Sequence, residues 1–71
     1  MNIIDVMENE EMVPAGSSVE VEIQNKTVVL PIDKSHQVIE VLRYLYLISP
    51  SLPMLGLKKK EGTKLYAAVP L

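Results

Sequence analysis

The alternation of apolar and polar residues after Ser18 restricts this chain more than any other feature of its sequence. In an extended strand the two sets point to opposite sides, and here they are Val19, Val21 and Ile23 against Glu20, Glu22 and Gln24. A Gln24-Asn25-Lys26-Thr27 turn follows, and Asn tolerates the left-handed conformation that a tight hairpin needs. We therefore predict a β-hairpin from Ser18 to Ile32. Pro31 has no N–H group, so the second strand ends there or lies at a sheet edge.

The next segment has the periodicity of an amphipathic helix. Asp33 is a good N-cap residue and Ser49-Pro50 breaks the pattern, which predicts a helix over about Lys34 to Ile48. At ~100° per residue one stripe is apolar and the opposite side is polar, namely Val38, Val41, Leu42, Leu45 and Ile48 against His36, Glu40 and Arg43. Further apolar side chains lie outside this stripe: Ile39 and Tyr46 on one flank, Tyr44 on the other, and Leu47 at the back. They cannot all enter one core.

The C-terminal part predicts a second hairpin, from Met54 to Val69. Its turn is Lys60-Glu61-Gly62-Thr63, in which Gly62 can adopt a positive φ. The first dozen residues leave two interpretations open. Asn2 and Asp5 resemble a helix cap and residues 8–11 suit a short helix, which we favour, whereas residues 3–6 suit a strand equally well.

These elements predict one small α+β domain, residues 1–71, in which residues 1–14 form an acidic N-terminal segment. The order is hairpin, helix, hairpin, with the helix packed on a mainly antiparallel sheet. This succession resembles the β-grasp arrangement of ubiquitin-like proteins. Ubiquitin-like modifiers end in Gly-Gly, whereas this sequence ends in Val69-Pro70-Leu71, so we do not expect a role in conjugation.

Size and cysteine content limit how the domain can be stabilised. A chain of 71 residues hides only about 60% of the surface that its unfolded form exposes, and such domains often need disulfides, a metal or oligomerisation. There is no cysteine and His36 is the only histidine, so disulfides and zinc sites of the usual Cys/His kind are excluded. We therefore expect a homo-oligomer without a cofactor. The N-terminus lacks the pattern of a signal peptide and no run suits a membrane span, so we expect a cytoplasmic protein.

Catalytic motifs are not apparent in the sequence. Phosphate-binding glycine loops and the common hydrolase motifs are missing. His36 and Glu40 are four positions apart and share a helix face, but no nucleophile accompanies them, and a histidine there is usually a solvated surface residue. We expect a protein that is not an enzyme, although an oligomer with a site shared between subunits remains a third hypothesis.

The charges divide the sequence into two territories. Residues 1–24 contain six acidic and no basic residues, and the remainder contains seven basic and three acidic residues. A cluster of lysines at the second hairpin is a candidate anion-binding site for a nucleotide or nucleic acid: Lys58, Lys59, Lys60 and Lys64. The same lysines would also keep a hairpin soluble and its edge unpaired. In a third interpretation, the acidic segment folds back on this basic hairpin.

The surplus apolar helix surface is the other candidate site. We predict a protein interface that contains Ile39, Tyr44, Tyr46 and Leu47. The leading hypothesis is a non-enzymatic protein-interaction module that self-associates and regulates or inhibits another protein. The alternative is a small anion-, nucleotide- or nucleic-acid-binding protein that uses the lysine-rich hairpin.

Overall fold

The computed structural model describes residues 6–54 and 56–68. One helix packs on a mainly antiparallel mixed sheet, which confirms the predicted α+β class. The elements in chain order are β1 (Met12–Val13), β2 (Ser18–Ile23), β3 (Lys26–Pro31), β4 (His36–Gln37), α1 (Val38–Ile48), β5 (Gly56–Glu61) and β6 (Lys64–Ala68). The main sheet has the order β3-β2-β6-β5, and β1 pairs with β4 in a separate two-stranded sheet.

The first hairpin forms where the alternation predicts it. Ile23 pairs with Lys26, so the turn consists of Gln24 and Asn25 alone. Both have positive φ, 52° and 65°, which is the backbone of a type I′ turn. β3 ends at Pro31 and lies at an edge of the sheet, so both possibilities raised by this proline are realised.

The second hairpin is also present. Its turn contains Gly62 with a φ of +57°, as predicted, and a register shift between Lys59 and Glu61 marks an irregularity in β5. β6 is a central strand that pairs with β2 in parallel over three residue pairs, from Ser18 with Lys64 to Glu20 with Tyr66. This parallel pair makes the sheet mixed, and it joins the two hairpins into one layer.

The helix begins four residues later than predicted, at Val38, and Asp33 is not its N-cap. His36 and Gln37 are held instead as the short strand β4 by antiparallel pairing with β1. The segment that contains β1 also supplies an acceptor for the first turn of the helix, since the Val38 N–H donates to the Glu11 carbonyl oxygen at 2.9 Å. The Gln37 N–H donates to Glu40 Oε1 at 2.8 Å. Tertiary pairing, and not the local cap residue, sets the start of the helix.

The favoured N-terminal helix is wrong over residues 8–11. These residues form a turn, in which the Glu11 N–H donates to the Glu8 carbonyl oxygen at 3.1 Å, and β1 follows. The proposed cap at Asn2 and Asp5 lies outside the described residues, as does most of the alternative strand at residues 3–6. Farther along, the Met7 N–H donates to the Leu57 carbonyl oxygen at 2.8 Å, which places this segment against β5.

The hydrophobic core lies between the sheet and the helix. Its fully buried side chains include Val13, Val19, Val38, Leu45 and Leu57. The predicted helix stripe is buried except for Ile48, which is 44% exposed because it occupies the last position of the helix. Among the described residues no helix is long and apolar enough to cross a membrane.

Candidate functional site

The outer edge of β3 is the most open hydrogen-bonding surface of the sheet. The residues that flank a two-residue hairpin turn form a hydrogen-bonded pair, and such pairs recur at every second position. Lys26, Val28 and Leu30 therefore direct their backbone groups toward β2. The same alternation continues at Ile32, whose N–H donates to the Ser17 carbonyl oxygen at 2.9 Å.

The intervening residues direct their backbone groups away from the sheet. Thr27 and Val29 each present an N–H and a carbonyl, and Pro31 presents a carbonyl alone. No strand within residues 6–54 and 56–68 pairs with this side of β3. The side chains of Val28 and Val29 are exposed, Val29 by 54%. From Thr27 to Pro31 the edge carries no charge, which is the composition of an edge that can accept another strand.

The opposite edge, β5, is protected in two ways. It contains the run Lys58-Lys59-Lys60-Glu61, and charges on an edge strand oppose pairing with another strand. The N-terminal segment also covers its start, where Met7 bonds to Leu57. Gly56 has a positive φ, and a Cβ at this position would overlap Val6 Cγ1, which reports how closely the segment approaches. The two edges of one sheet therefore differ in protection.

The two flanks of the helix also differ in how far other parts of the chain cover them. Tyr46 and Ile39 lie on the flank toward the N-terminal segment and β5, where the Tyr46 hydroxyl donates to the Met54 carbonyl oxygen at 3.1 Å. The Ile39 N–H donates to the Asn9 carbonyl oxygen at 3.1 Å, and its side chain is half-buried. These two predicted interface residues are thus engaged within the chain, although Tyr46 remains 42% exposed.

Tyr44 lies on the flank toward β3. A groove of about 670 Å³ separates the helix from the end of that strand, and Tyr44 and Val41 line it with Leu30 and Ile32. Tyr44 is exposed, and so are Leu47 and Ile48 on the following turn; Leu47 is 80% exposed. We call the edge of β3 together with this side of the helix the β3–α1 surface, which consists of Val28, Val29, Tyr44 and Ile48; Leu47 lies at the back of the helix, outside this surface.

The four predicted anion-binding lysines do not form one cluster. Lys58 and Lys60 lie on the solvent face of the sheet, where Lys58 Nζ is 5.8 Å from the Tyr66 ring centroid. Lys60 Nζ lies 3.1 Å from Glu20 Oε2 in a salt bridge. Lys59 pairs with the buried Leu65 and therefore belongs to the opposite face, because side chains alternate along a strand. Lys64 is exposed at the start of β6.

Among the described residues, the acidic territory meets the lysines through β2. Glu20, which forms a salt bridge with Lys60, lies on β2, and β6 lies between β2 and β5 in the sheet. Glu8, Glu10 and Glu11 are exposed, and the salt bridges found among the described residues do not include them. The interpretation in which the acidic segment folds back on the lysines is therefore not supported for residues 6–11.

An open cleft of about 800 Å³ lies where β2 and β6 diverge beyond their three paired residues. The salt-bridged Glu20 and Lys60 line it together with Glu22 and Tyr66. Glu20 matches the charge of Lys60, and Glu22 leaves the charged lining residues with a net charge of −1, which disfavours an anion in the cleft.

The His36–Glu40 pair lies on the surface. His36 Nδ1 is 3.8 Å from Glu40 Oε2, and both side chains are about half exposed. Glu40 also accepts the hydrogen bond from the Gln37 N–H, which is a structural role at the start of the helix. Among the described residues no group of three His, Asp or Glu side chains is arranged to hold a metal ion.

Sequence reasoning missed Val28, Val29 and Ile48 as part of the exposed surface. The two valines were attributed to a strand, correctly, but their exposure depends on β3 being an edge, which the order of strands decides. One signal was available, namely Pro31, because proline in a sheet is tolerated mainly at edges.

Comparison of the chain with protein-family models, curated proteins and solved structures gives no match. The function proposed for this chain therefore rests on its own geometry.

Proposed function

We propose that this chain is a non-enzymatic protein-interaction module that self-associates and regulates or inhibits another protein. It binds through the β3–α1 surface. The observation that carries this proposal is the unequal protection of the two sheet edges: β5 is charged and covered, whereas β3 is apolar, uncharged from Thr27 to Pro31 and open. Main-chain pairing at an open edge supplies affinity, and adjacent apolar side chains supply selectivity.

The helix side of this surface supports a protein as the ligand. Tyr44 presents large apolar area in the groove that borders β3, and tyrosine is enriched in protein interfaces. Exposed apolar side chains occur singly on most proteins. Here Val28 lies on the helix side of β3, at an outer edge with which no strand of residues 6–54 and 56–68 pairs, so apolar side chains and free backbone groups lie in one region.

Anion binding by the lysine-rich hairpin, the alternative, receives less support. Lys60 is in a salt bridge with Glu20, and Lys58 lies against the ring of Tyr66. Lys59 points to the other face of the sheet from these two. A phosphate group on the solvent face would therefore compete with Glu20 for Lys60.

The proposal is tested by capture from a lysate of the cells that produce the protein, with the immobilised wild type and two variants. Val29→Lys adds a charge to the open edge, and Thr63→Lys adds the same charge to the exposed tip of the second hairpin. We expect proteins retained by the wild type and by Thr63→Lys to be lost with Val29→Lys. Equal retention by all three folded proteins would contradict a function at the β3–α1 surface.

A further inference from the structure

We propose that the β3 edge pairs with β3 of a second copy of this chain, antiparallel, with Val29 on the two-fold axis. The result would be one continuous eight-stranded sheet across two subunits. This inference rests on the interaction module proposed above and names its partner.

The outward backbone groups of β3 complement themselves in this register. Val29 lies opposite Val29 of the partner subunit, and the two residues exchange both of their N–H to carbonyl bonds. Thr27 lies opposite Pro31 of the partner subunit, whose carbonyl accepts the Thr27 N–H. Both outward N–H groups of each subunit thus find an acceptor. Pro31 contributes only its carbonyl, so the Thr27 carbonyl receives no N–H from this pair; it lies at the end of the paired strands, where water can supply a donor.

Side chains and charge favour the same register. Val28 lies opposite Leu30 of the partner subunit, so apolar residues meet on the helix side of the sheet. Lys26, the charge nearest to the edge, falls opposite Ile32 of the partner subunit, one position past the end of β3 and next to the partner's Asp33. A register shifted by two residues, with Val28 on the axis, also pairs outward groups with each other. It would place Lys26 opposite Leu30 of the partner subunit, inside the paired strands and three positions out of line with the partner's Asp33, so the opposite charges would lie farther apart.

The acidic residues of β2 do not oppose this pairing. Glu20 lies beside Val29 in the sheet and is one strand in from the edge. Three strand spacings then separate it from its copy, about 14 Å at ~4.8 Å each. At physiological ionic strength charges interact weakly beyond about 8 Å. The repulsion between the two acidic strands is therefore largely screened.

The area needed for a stable dimer requires the helix side of the surface as well. A standard interface buries about 800 Å² per partner, which is roughly a sixth of the 4912 Å² that this chain exposes. One strand edge supplies only part of this area. A two-fold axis perpendicular to the sheet keeps both helices on the same face, so the groove beside Tyr44 of one subunit faces the same groove of its partner. Tyr44 then contributes at the centre of the dimer.

The absence of cysteine makes the register directly measurable, because each substitution introduces a unique thiol. In the proposed dimer the two Cα atoms of residue 29 are about 5.5 Å apart, within the range of a disulfide. Those of residue 28 are ~8 Å apart and those of residue 27 ~14 Å apart, too far to bridge. We expect Val29→Cys to form a covalent dimer rapidly under mild oxidation, and Val28→Cys and Thr27→Cys to do so much more slowly.

Light scattering and helix variants complete the test. We expect the wild type to elute with twice the monomer mass of 7.9 kDa at micromolar concentration. Tyr44→Ala should weaken dimerisation at least tenfold, as expected for a central tyrosine. Tyr46→Ala removes the same side chain from the other flank and should leave the dimer unchanged, with folding of both variants checked by far-UV circular dichroism.

Three results would overturn the second copy as the partner in this register. They are a monomer at all accessible concentrations, faster cross-linking of Val28→Cys than of Val29→Cys, and equal effects of the two tyrosine variants. A monomer that still loses captured proteins on Val29→Lys substitution would refute the dimer and leave the interaction module standing. A dimer that cross-links through residue 29 and captures nothing would support the dimer and contradict binding of another protein at the β3–α1 surface.

Discussion

Replacing Val13 by Ala tests whether the N-terminal segment is part of the folding unit. Val13 is 0% exposed and belongs to β1, which pairs with β4 at the start of the helix. The substitution removes two buried carbon atoms, worth about 0.8 kcal/mol each by transfer. The cavity left behind adds a further ~0.5 kcal/mol. We therefore expect the free energy of unfolding to fall by about 2 kcal/mol.

This loss is large for a chain of 71 residues, because a domain of this length is typically held by about 4–10 kcal/mol. The expected shift in melting temperature is roughly 8–16 °C. Urea denaturation followed by far-UV circular dichroism measures the change, with all variants at one protein concentration because the proposed self-association would make stability depend on concentration.

Met12→Ala is the matched control, since Met12 is the other residue of β1 and is 53% exposed. The free energy of unfolding of this variant should differ from that of the wild type by no more than about 0.5 kcal/mol, as for most surface substitutions. Equal losses for Val13→Ala and Met12→Ala would refute the reasoning. They would mean that β1 contributes to the fold by its backbone pairing alone, or not at all.

Three further outcomes are expected. Asn25→Val should lower the free energy of unfolding by ~1 kcal/mol or more, whereas Asn25→Gly should be nearly neutral, because a β-branched residue does not tolerate the φ of 65°; urea denaturation distinguishes them. Glu40→Ala should cost ~1 kcal/mol through the lost bond to the Gln37 N–H, and Asp33→Ala should cost less than ~0.5 kcal/mol, since Asp33 is not the N-cap; similar losses would restore Asp33 as the cap. Titration with ATP and a short oligonucleotide at low salt should give no binding heat. Binding that weakens with salt and on replacement of the three β5 lysines by Gln would favour the anion-binding alternative.

Local sequence chemistry was sufficient for both hairpins. Asn25 and Gly62 have the positive φ values that their turns require. The alternation of Val19 and Val21 with glutamates sets the buried face of β2. These signals act between residues that are close in sequence, so they do not depend on the tertiary contacts of the rest of the chain. The turns and strands could therefore be placed without knowledge of the tertiary structure.

The start of the helix could not be placed in this way. Asp33 is a good cap by composition, but His36 and Gln37 pair with β1, more than twenty residues earlier in the chain. That pairing holds them extended and delays the helix to Val38. No local preference of residues 33–37 reveals such a contact, because the gain comes from burying Val13 beneath the helix start.

The candidate site depends on strand order even more strongly. The alternation predicted β3, and Pro31 suggested an edge, but only the order β3-β2-β6-β5 leaves the outer side of β3 without a partner strand among residues 6–54 and 56–68. That order follows from the parallel pairing of β2 with β6, a contact between residues more than forty positions apart. The lysines of β5 depend on local geometry instead, because alternation along a strand places Lys59 on the opposite face from Lys58.

If one edge serves both as a dimer contact and as a binding site, the two uses exclude each other, because a strand edge pairs with only one strand at a time. Self-association would then set how much of the open edge is available to another protein. The Val29→Cys variant tests this directly. After oxidation to the covalent dimer it should capture less of any protein that the wild type retains, and reduction of the disulfide should restore capture. Thr63→Cys, oxidised at the tip of the second hairpin, controls for the disulfide itself and should capture as the wild type does. Undiminished capture by the dimer linked through residue 29 would place the partner on another surface, and the sheet edge would then serve self-association alone.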